Sequence, residues 1–320
     1  MTYSQADMGL AESGARRMLP SDTSLPFFAY GFLKPGEIAY PRIREFVEEP
    51  AIEATVEGTL WLRDGLLFLN LPGHQRSARA SARLPVRGSL LCFVPPRALA
   101  AYEAISALEP QDVYRWQTVG VGTETGREDA NVLVGRRPDP GGAEEWSGGE
   151  WRSIDDPLFR EALLEVERIA GASRPDSPED LGMFFRKQMA YLLLWSSIER
   201  YVSLRYKIGG NDVLAKIHRL AGEDAFRDAL REVVRDSEEP RVVHRASDPE
   251  DRVKLDPDNP RRSIDYYYQV RSNMAHRGKA AIRDRQIVGD ALSELLEIHK
   301  RVLDATLGCR GHGGGAHGQG

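Results

Sequence analysis

Tyr30-Gly31-Phe32-Leu33-Lys34-Pro35-Gly36 is the stretch from which the fold is read. It follows the apolar run Leu25-Pro26-Phe27-Phe28-Ala29, and Lys34-Pro35-Gly36 is the turn signal that ends it. A glycine in a strand-to-loop turn can aim backbone N–H groups into a cleft, where they bind a carboxylate or an oxyanion. A side chain in place of Gly31 would block that approach. The same residues are also compatible with a plain hairpin turn.

Outward from this stretch, the segments EATVEGTLWL, GLLFLNL, LPVRGSLLCFV, YRWQTVGVG and NVLVGRR each hold strand-like residues bounded by Gly, Pro, Asn or Asp. The segment PPRALAAYEAISALEP interrupts them. Pro96 fits a first helical turn, and Leu99, Tyr102, Ile105 and Leu108 recur every three residues, which predicts a short helix between strands. The fold class expected is α+β: a small, mostly antiparallel sheet or β-barrel with short helices over residues 25–140, then an all-α bundle of four or five helices over 182–308. Residues 1–24 read as a disordered leader and 309–320 as a disordered tail. Residues 141–181 read as a linker with one helix, Asp155 or Asp156 lying near its start. In the bundle, a helix of about 25 residues should stop at Gly209–Gly210. Met189, Leu192, Leu193, Trp195, Ile198, Tyr201 and Leu204 are expected to form its core stripe. The charged stretch from 237 to 261 reads as a mobile loop.

Composition excludes several classes. The 320 residues carry a net charge of −5, so no global basic field draws the chain to nucleic acid or anionic lipid. No apolar run approaches the ~20 residues needed to span a bilayer, and the first twenty residues lack the apolar core of a secretory signal. Two cysteines, Cys92 and Cys309, make neither a disulfide scaffold nor a cysteine-rich zinc site. No metal or cofactor is expected, and the cytoplasm is the expected location. Nucleotide-binding glycine motifs, H-E-x-x-H and a nucleophile elbow are missing from the sequence.

Glu109 stands between Leu108 and Pro110 at the end of the short helix. Partial burial there would raise its carboxyl pKa toward neutrality and suit it to proton transfer, whereas an exposed helix-end glutamate would do nothing. With it, the chain presents YGFLKPG, VEGTLW at 56–61, VRGSL at 86–90 and LEP…YRW…V at 108–119. In this joint order the four motifs resemble the γ-glutamylcyclotransferase-like family, which includes the AIG2-like proteins. The resemblance implies a small barrel whose active members cut γ-glutamyl amides by internal cyclisation to 5-oxoproline. It implies Glu109 as the acid/base, with Glu103 as the competing position, and Tyr30, Gly31, Phe32 and Leu33 as the loop that holds the γ-glutamyl head group. The family usually has a small residue where Phe32 stands, and a ring there either narrows the pocket or faces the core.

Near the other end, IDYYYQVRSNMAHRGK holds Arg271 and His276, five residues apart on a helix that Gly278 should stop. An arginine can hold a phosphate while a histidine moves a proton. An Arg paired with Asp265 or a glutamate, beside a solvated His, is the structural alternative. His218 reads as a surface or packing histidine. The stretch, the preceding WSSIERYV and the helical length resemble HEPN domains. That resemblance implies a metal-independent RNase pair, Arg271 and His276, meeting across a homodimer, or else an RNA-binding or dimerising module in toxin–antitoxin or antiphage systems. Ser272 stands where the motif often has Asn, Asp or His. The partners expected are therefore a small γ-glutamyl substrate, RNA at the helical region and a second copy of the chain, with no membrane.

Overall fold

A computed structural model describes residues 18–63, 65–72, 85–109, 112–136, 142–172, 181–206, 212–234, 241–245, 250–277 and 285–308, with the backbone alone at His276 and Arg277. The expected leader up to residue 17, the loop 173–180, the helix stops at Gly209–Gly210 and Gly278, and the tail from 309 lie outside them.

The first half comprises β1 (Phe27–Ala29), β2 (Ile52–Glu57), β3 (Thr59–Arg63), β4 (Leu66–Asn70), β5 (Pro85–Leu91), α1 (Ala98–Ser106), β6 (Tyr114–Thr123) and β7 (Gly126–Gly135). Five of these strands close a barrel in the order β1-β5-β2-β6-β7. The neighbours are antiparallel except where β1 meets β7 in parallel, through Phe27 and Asn131, and shuts the ring. The expected α+β class, a mostly antiparallel barrel followed by helices, is therefore the observed one. Closure pairs the strand edges. Phe28, Val56, Leu90, Val121 and Val132 fill the interior, each contributing about 1.5–3 kcal/mol by leaving water.

EATVEGTLWL, read above as one strand, breaks at Gly58. β2 stays in the barrel, while β3 joins β4 and β8 (Glu144–Glu145) in a separate three-stranded sheet. A Cβ on Gly58 would sit 2.8 Å from Leu69 Cδ1 and 2.9 Å from the Asn70 carbonyl oxygen. Gly88, in the middle of VRGSL, is tighter: a Cβ there would lie 2.4 Å from the Ala29 carbonyl oxygen and 2.7 Å from Phe28. Both glycines let strands approach one another closely. The short helix α1 buries Ala98, Ala101, Tyr102 and Ile105, but Leu99 is half exposed. A three-residue repeat drifts around a helix of 3.6 residues per turn, so Leu99 falls on the outer face.

Beyond β8, Trp151, Ser153, Asp156 and Phe159 are buried, and α2 (Glu161–Gly171) follows. Next come α3 (Leu181–Arg205), α4 (Val213–Ala221), α5 (Asp224–Val233), β9 (Val242–His244), β10 (Arg252–Lys254), α6 (Pro260–Arg277) and α7 (Arg285–Leu307). The long helix α3 has the expected 25 residues, but its buried stripe is shifted. Tyr191, Leu194, Trp195, Ile198 and Tyr201 are inside, while Met189 and Leu192 face out. The stretch expected to be a mobile loop contains the β9–β10 hairpin. Val243 and Leu255 bury their side chains there, and Asn273 Nδ2 donates to the His244 carbonyl at 2.8 Å. Asn259 caps α6 by accepting from the Arg262 N–H, and Pro260 occupies the first helical position.

Barrel end and bundle share one apolar cluster, running from Phe27, Leu33 and Tyr114 through Phe159 to Ile198 and Leu303. Arginines tie the two parts by donating to carbonyls at helix ends, which have no partner within their own helix. Arg42 Nη1 donates to the Ser203 and Leu204 carbonyls, and Arg152 Nη2 to the Leu307 carbonyl. Deeper in the bundle, His299 Nε2 on α7 meets Ser197 Oγ on α3 at 2.9 Å, both residues being buried. Burial holds the imidazole neutral, with its pKa pushed down to about 3.

Two outcomes follow from these contacts. The unfolded chain has an ordinary His299 and binds more protons than the folded chain as pH falls from about 6.5 to about 3. Stability is therefore lost through that window, by a few kcal/mol at most. Urea midpoints measured between pH 7 and pH 4 will fall less steeply for His299→Gln than for the parent. At neutral pH, Gly88→Ala will cost roughly 1–3 kcal/mol or more in the same assay, because the added carbon meets backbone. Gly31→Ala, whose Cβ would lie an ordinary 3.6 Å from Leu67, will leave the midpoint nearly unchanged.

Candidate functional site at the barrel mouth

β1 ends at Ala29, so YGFLKPG is loop from its first residue rather than a continuation of the strand. The loop folds on itself through Lys34 N–H to the Gly31 carbonyl and Ala39 N–H to the Phe32 carbonyl, both at 3.1 Å. Gly36 takes the left-handed conformation, with φ at 85°. The segment after β8 holds the loop from behind. Buried Lys34 donates to Glu150 Oε1 at 2.5 Å and to the Trp151 carbonyl at 2.8 Å, and Ile38 N–H donates to Ser153 Oγ at 3.1 Å. Among the described residues, no backbone acceptor takes the N–H groups of Gly31, Phe32 or Leu33.

This loop lines a cavity of about 130 Å³ at the mouth of the barrel. Leu66 and Leu67 of β4, Tyr114 of β6 and Leu133 of β7 form its inner wall. Leu108 and Glu109 enter from the turn after α1, where Leu108 N–H and Glu109 N–H both donate to the Ile105 carbonyl, at 2.9 and 3.3 Å. Phe27 and Ala29 of β1, Ala39, and Arg200 and Leu204 of α3 complete the lining. The cavity thus brings Tyr30, Gly31, Phe32 and Leu33 together with Glu109. Glu103, the competing position, is exposed on α1 and is not among the cavity-lining residues.

Electrostatics set Glu109 apart. Burial pushes its carboxyl up to about 7, against the opposing pull of the Arg200 and Arg42 guanidinium groups. Two phenols share its surroundings, and both are committed to backbone. Tyr30 Oη donates to the Leu133 carbonyl at 2.8 Å and accepts from Leu69 N–H at 3.3 Å. Tyr114 Oη donates to the Leu67 carbonyl at 2.9 Å. Burial and the Glu109 charge raise both phenol pKa values, so they stay neutral. Near neutral pH, Glu109 is the cavity group that can take up a proton and give it back.

Gly31 is not required by protein packing, since a Cβ there would make only an ordinary contact. Its value to a site is the room it leaves for a bound group. Phe32 lines the cavity, with its ring edge-on to Trp151 at 4.5 Å and the Arg200 guanidinium 5.1 Å from its centroid. The sequence reading missed Arg200, Arg42 and Asp156. Arg200 sits in WSSIERYV, which reads as bundle, and nothing in its spacing points to a strand barrel.

In the helical region, Arg271 Nη2 pairs with Glu199 Oε1 at 3.2 Å, and its guanidinium lies 5.7 Å from the Tyr268 ring centroid. Asp265, the partner considered for Arg271, instead meets His218 Nε2 at 2.6 Å. His276 lies on α6 next to its last residue, and its side chain is outside the description. No described helix is long and apolar enough to cross a membrane. Among the described residues, no cluster of three or more His, Cys, Asp or Glu could hold a metal.

No protein-family model matches the chain, and no curated protein matches it. Among solved structures, YkqA from Bacillus subtilis is similar over 40% of this chain and 39% of its own, at 16% identity and a TM-score of 0.29. The match therefore spans well under half of YkqA. The uncharacterised protein PH0828 from Pyrococcus horikoshii is similar over 45% of this chain and 98% of its own, at 18% identity and a TM-score of 0.25.

The site's charge balance is directly measurable. With ¹³C-labelled glutamate, the Glu109 carboxyl resonance will titrate with a midpoint about 7. Arg200→Gln removes a positive charge that favours the carboxylate, so the midpoint will move up. A midpoint near the ordinary glutamate value would show that water reaches the carboxyl freely.

Proposed function

We propose that the barrel is a γ-glutamylcyclotransferase-type enzyme, with Glu109 as its acid/base and Tyr30–Leu33 as its substrate loop. One observation carries the reading: a carboxyl with pKa about 7 shares a small cavity with a loop in which the N–H groups of Gly31, Phe32 and Leu33 find no backbone acceptor among the described residues. The four motifs in their order support it.

In this reading the N–H groups of Gly31, Phe32 and Leu33 receive the α-carboxylate of a γ-glutamyl head group. The substrate's neutral α-amine attacks its own γ-carbonyl carbon. The new C–N bond closes a five-membered ring, and Glu109 takes the proton that the amine loses. The carbonyl then re-forms, the original amide C–N bond breaks, and Glu109 returns the proton to the departing nitrogen. The products are 5-oxoproline and a free amine or amino acid, and Glu109 ends as it began. A base with pKa near the working pH suits both halves of this exchange. The apolar walls from Leu66, Leu67 and Leu133 keep the site dry and the carboxyl poised.

The test is release of 5-oxoproline, read by mass spectrometry, from a panel of γ-glutamyl dipeptides and γ-glutamylamines. The parent protein will release it at a rate that rises with pH through about 7. Glu109→Gln will lose at least 10²-fold in rate, in line with general acid–base catalysis, while keeping its circular dichroism spectrum. Turnover retained by that variant would remove Glu109 from the mechanism.

A further inference from the structure

Arg200 comes from α3, far along the chain from the barrel, yet it is a wall of the barrel's cavity. Its position is tightly determined. Nε and Nη2 donate to Asp156 Oδ2 at 3.1 and 3.0 Å, and Nη2 also donates to the Gly65 carbonyl at 2.9 Å. Asp156 is only 1% exposed and also accepts from the Leu158 N–H. The guanidinium carbon also lies over the Phe32 ring, which is in turn edge-on to Trp151.

A guanidinium has five N–H donors. These contacts use the one on Nε and those on Nη2, and among the described residues no acceptor takes the pair on Nη1. Nor does any hydrogen bond among the described residues join Arg200 to Glu109, although Glu109 lines the same cavity. An arginine that lines a cavity, with its side chain already immobilised and two N–H donors to spare, is preorganised for a carboxylate. In the cyclotransferase reading, loop N–H groups already serve the head-group carboxylate, and Glu109 serves the amine. Arg200 is left for a second anion.

We propose that Arg200 is a specificity-determining residue that receives a carboxylate on the departing half of the substrate. The inference rests on the cyclotransferase reading and narrows it: the preferred amides are those whose released half carries a carboxylate. It also gives Phe32 a role, since its ring packs against the Arg200 guanidinium where both line the cavity.

The test compares γ-glutamylalanine with γ-glutamylethylamide, which share the head group and differ by one carboxylate. Binding is measured by isothermal titration calorimetry in the Glu109→Gln protein, so that neither ligand is consumed. Expected is about ten- to a hundredfold tighter binding of γ-glutamylalanine, the range of one charge-assisted contact. Arg200→Gln made together with Asp156→Asn, which leaves no buried charge unpaired, will bring the ratio to about one. Should that pair fail to fold, Arg200→Lys keeps a cation beside Asp156, loses the planar fork and will lower the ratio about tenfold. Equal affinities in the starting protein, or a preference that survives loss of Arg200, would overturn the proposal and leave the head-group reading standing. Failure of both ligands to bind would overturn the head-group reading, and the proposal with it.

Discussion

The contact on which the site depends is the seating of the last turns of α3 against the open end of the barrel. Two arginines make it, in opposite directions. Arg42, on the barrel side, satisfies the Ser203 and Leu204 carbonyls at the end of the helix. Arg200, on the helix side, reaches back to the Gly65 carbonyl in the β3–β4 turn and to buried Asp156. Each removes an otherwise unmet hydrogen-bonding need of the other part, and apolar packing fills the space between them. Without this seating the cavity would lose a wall, and Glu109 would face water.

The same contact sets the chemistry of Glu109. Burial alone would raise a carboxyl pKa far, and two nearby guanidinium groups pull it back. The balance falls near neutrality, where a group can both accept and release a proton. Asp156 compensates Arg200 inside the protein, so the site is not flooded with positive charge. The segment between β8 and α2 serves here as a brace: Trp151 packs on Phe32, Ser153 accepts from the Ile38 N–H just beyond the YGFLKPG loop, and Asp156 holds Arg200.

Legibility in the sequence was uneven, for physical reasons. VEGTLW and VRGSL were legible through their order along the chain, and the structure gives their glycines a steric reason, a Cβ that would strike backbone or a neighbouring side chain. Glu109 was legible because Leu108 and Pro110 bracket it at a helix end. Leu99, Met189 and Leu192 were misplaced because apolar spacing gives a helix's period but not which face its neighbours cover. The β9–β10 hairpin was hidden by its charged residues, since its burial comes from α6 lying across it.

By itself, the sequence determined a strand-rich first half, a helical second half, the turn after β1 and a glutamate at the end of the short helix, whose burial it left open. These are local properties, written in periodicity, turn residues and glycine placement. Only the tertiary structure decided that the Tyr30–Leu33 loop, Glu109 and Arg200 meet. Their meeting requires the barrel to close through β1 and β7 and α3 to dock across its mouth. No local preference encodes a contact between residues so far apart in the chain; it arises when buried carbonyls, an aspartate and apolar faces find their partners together.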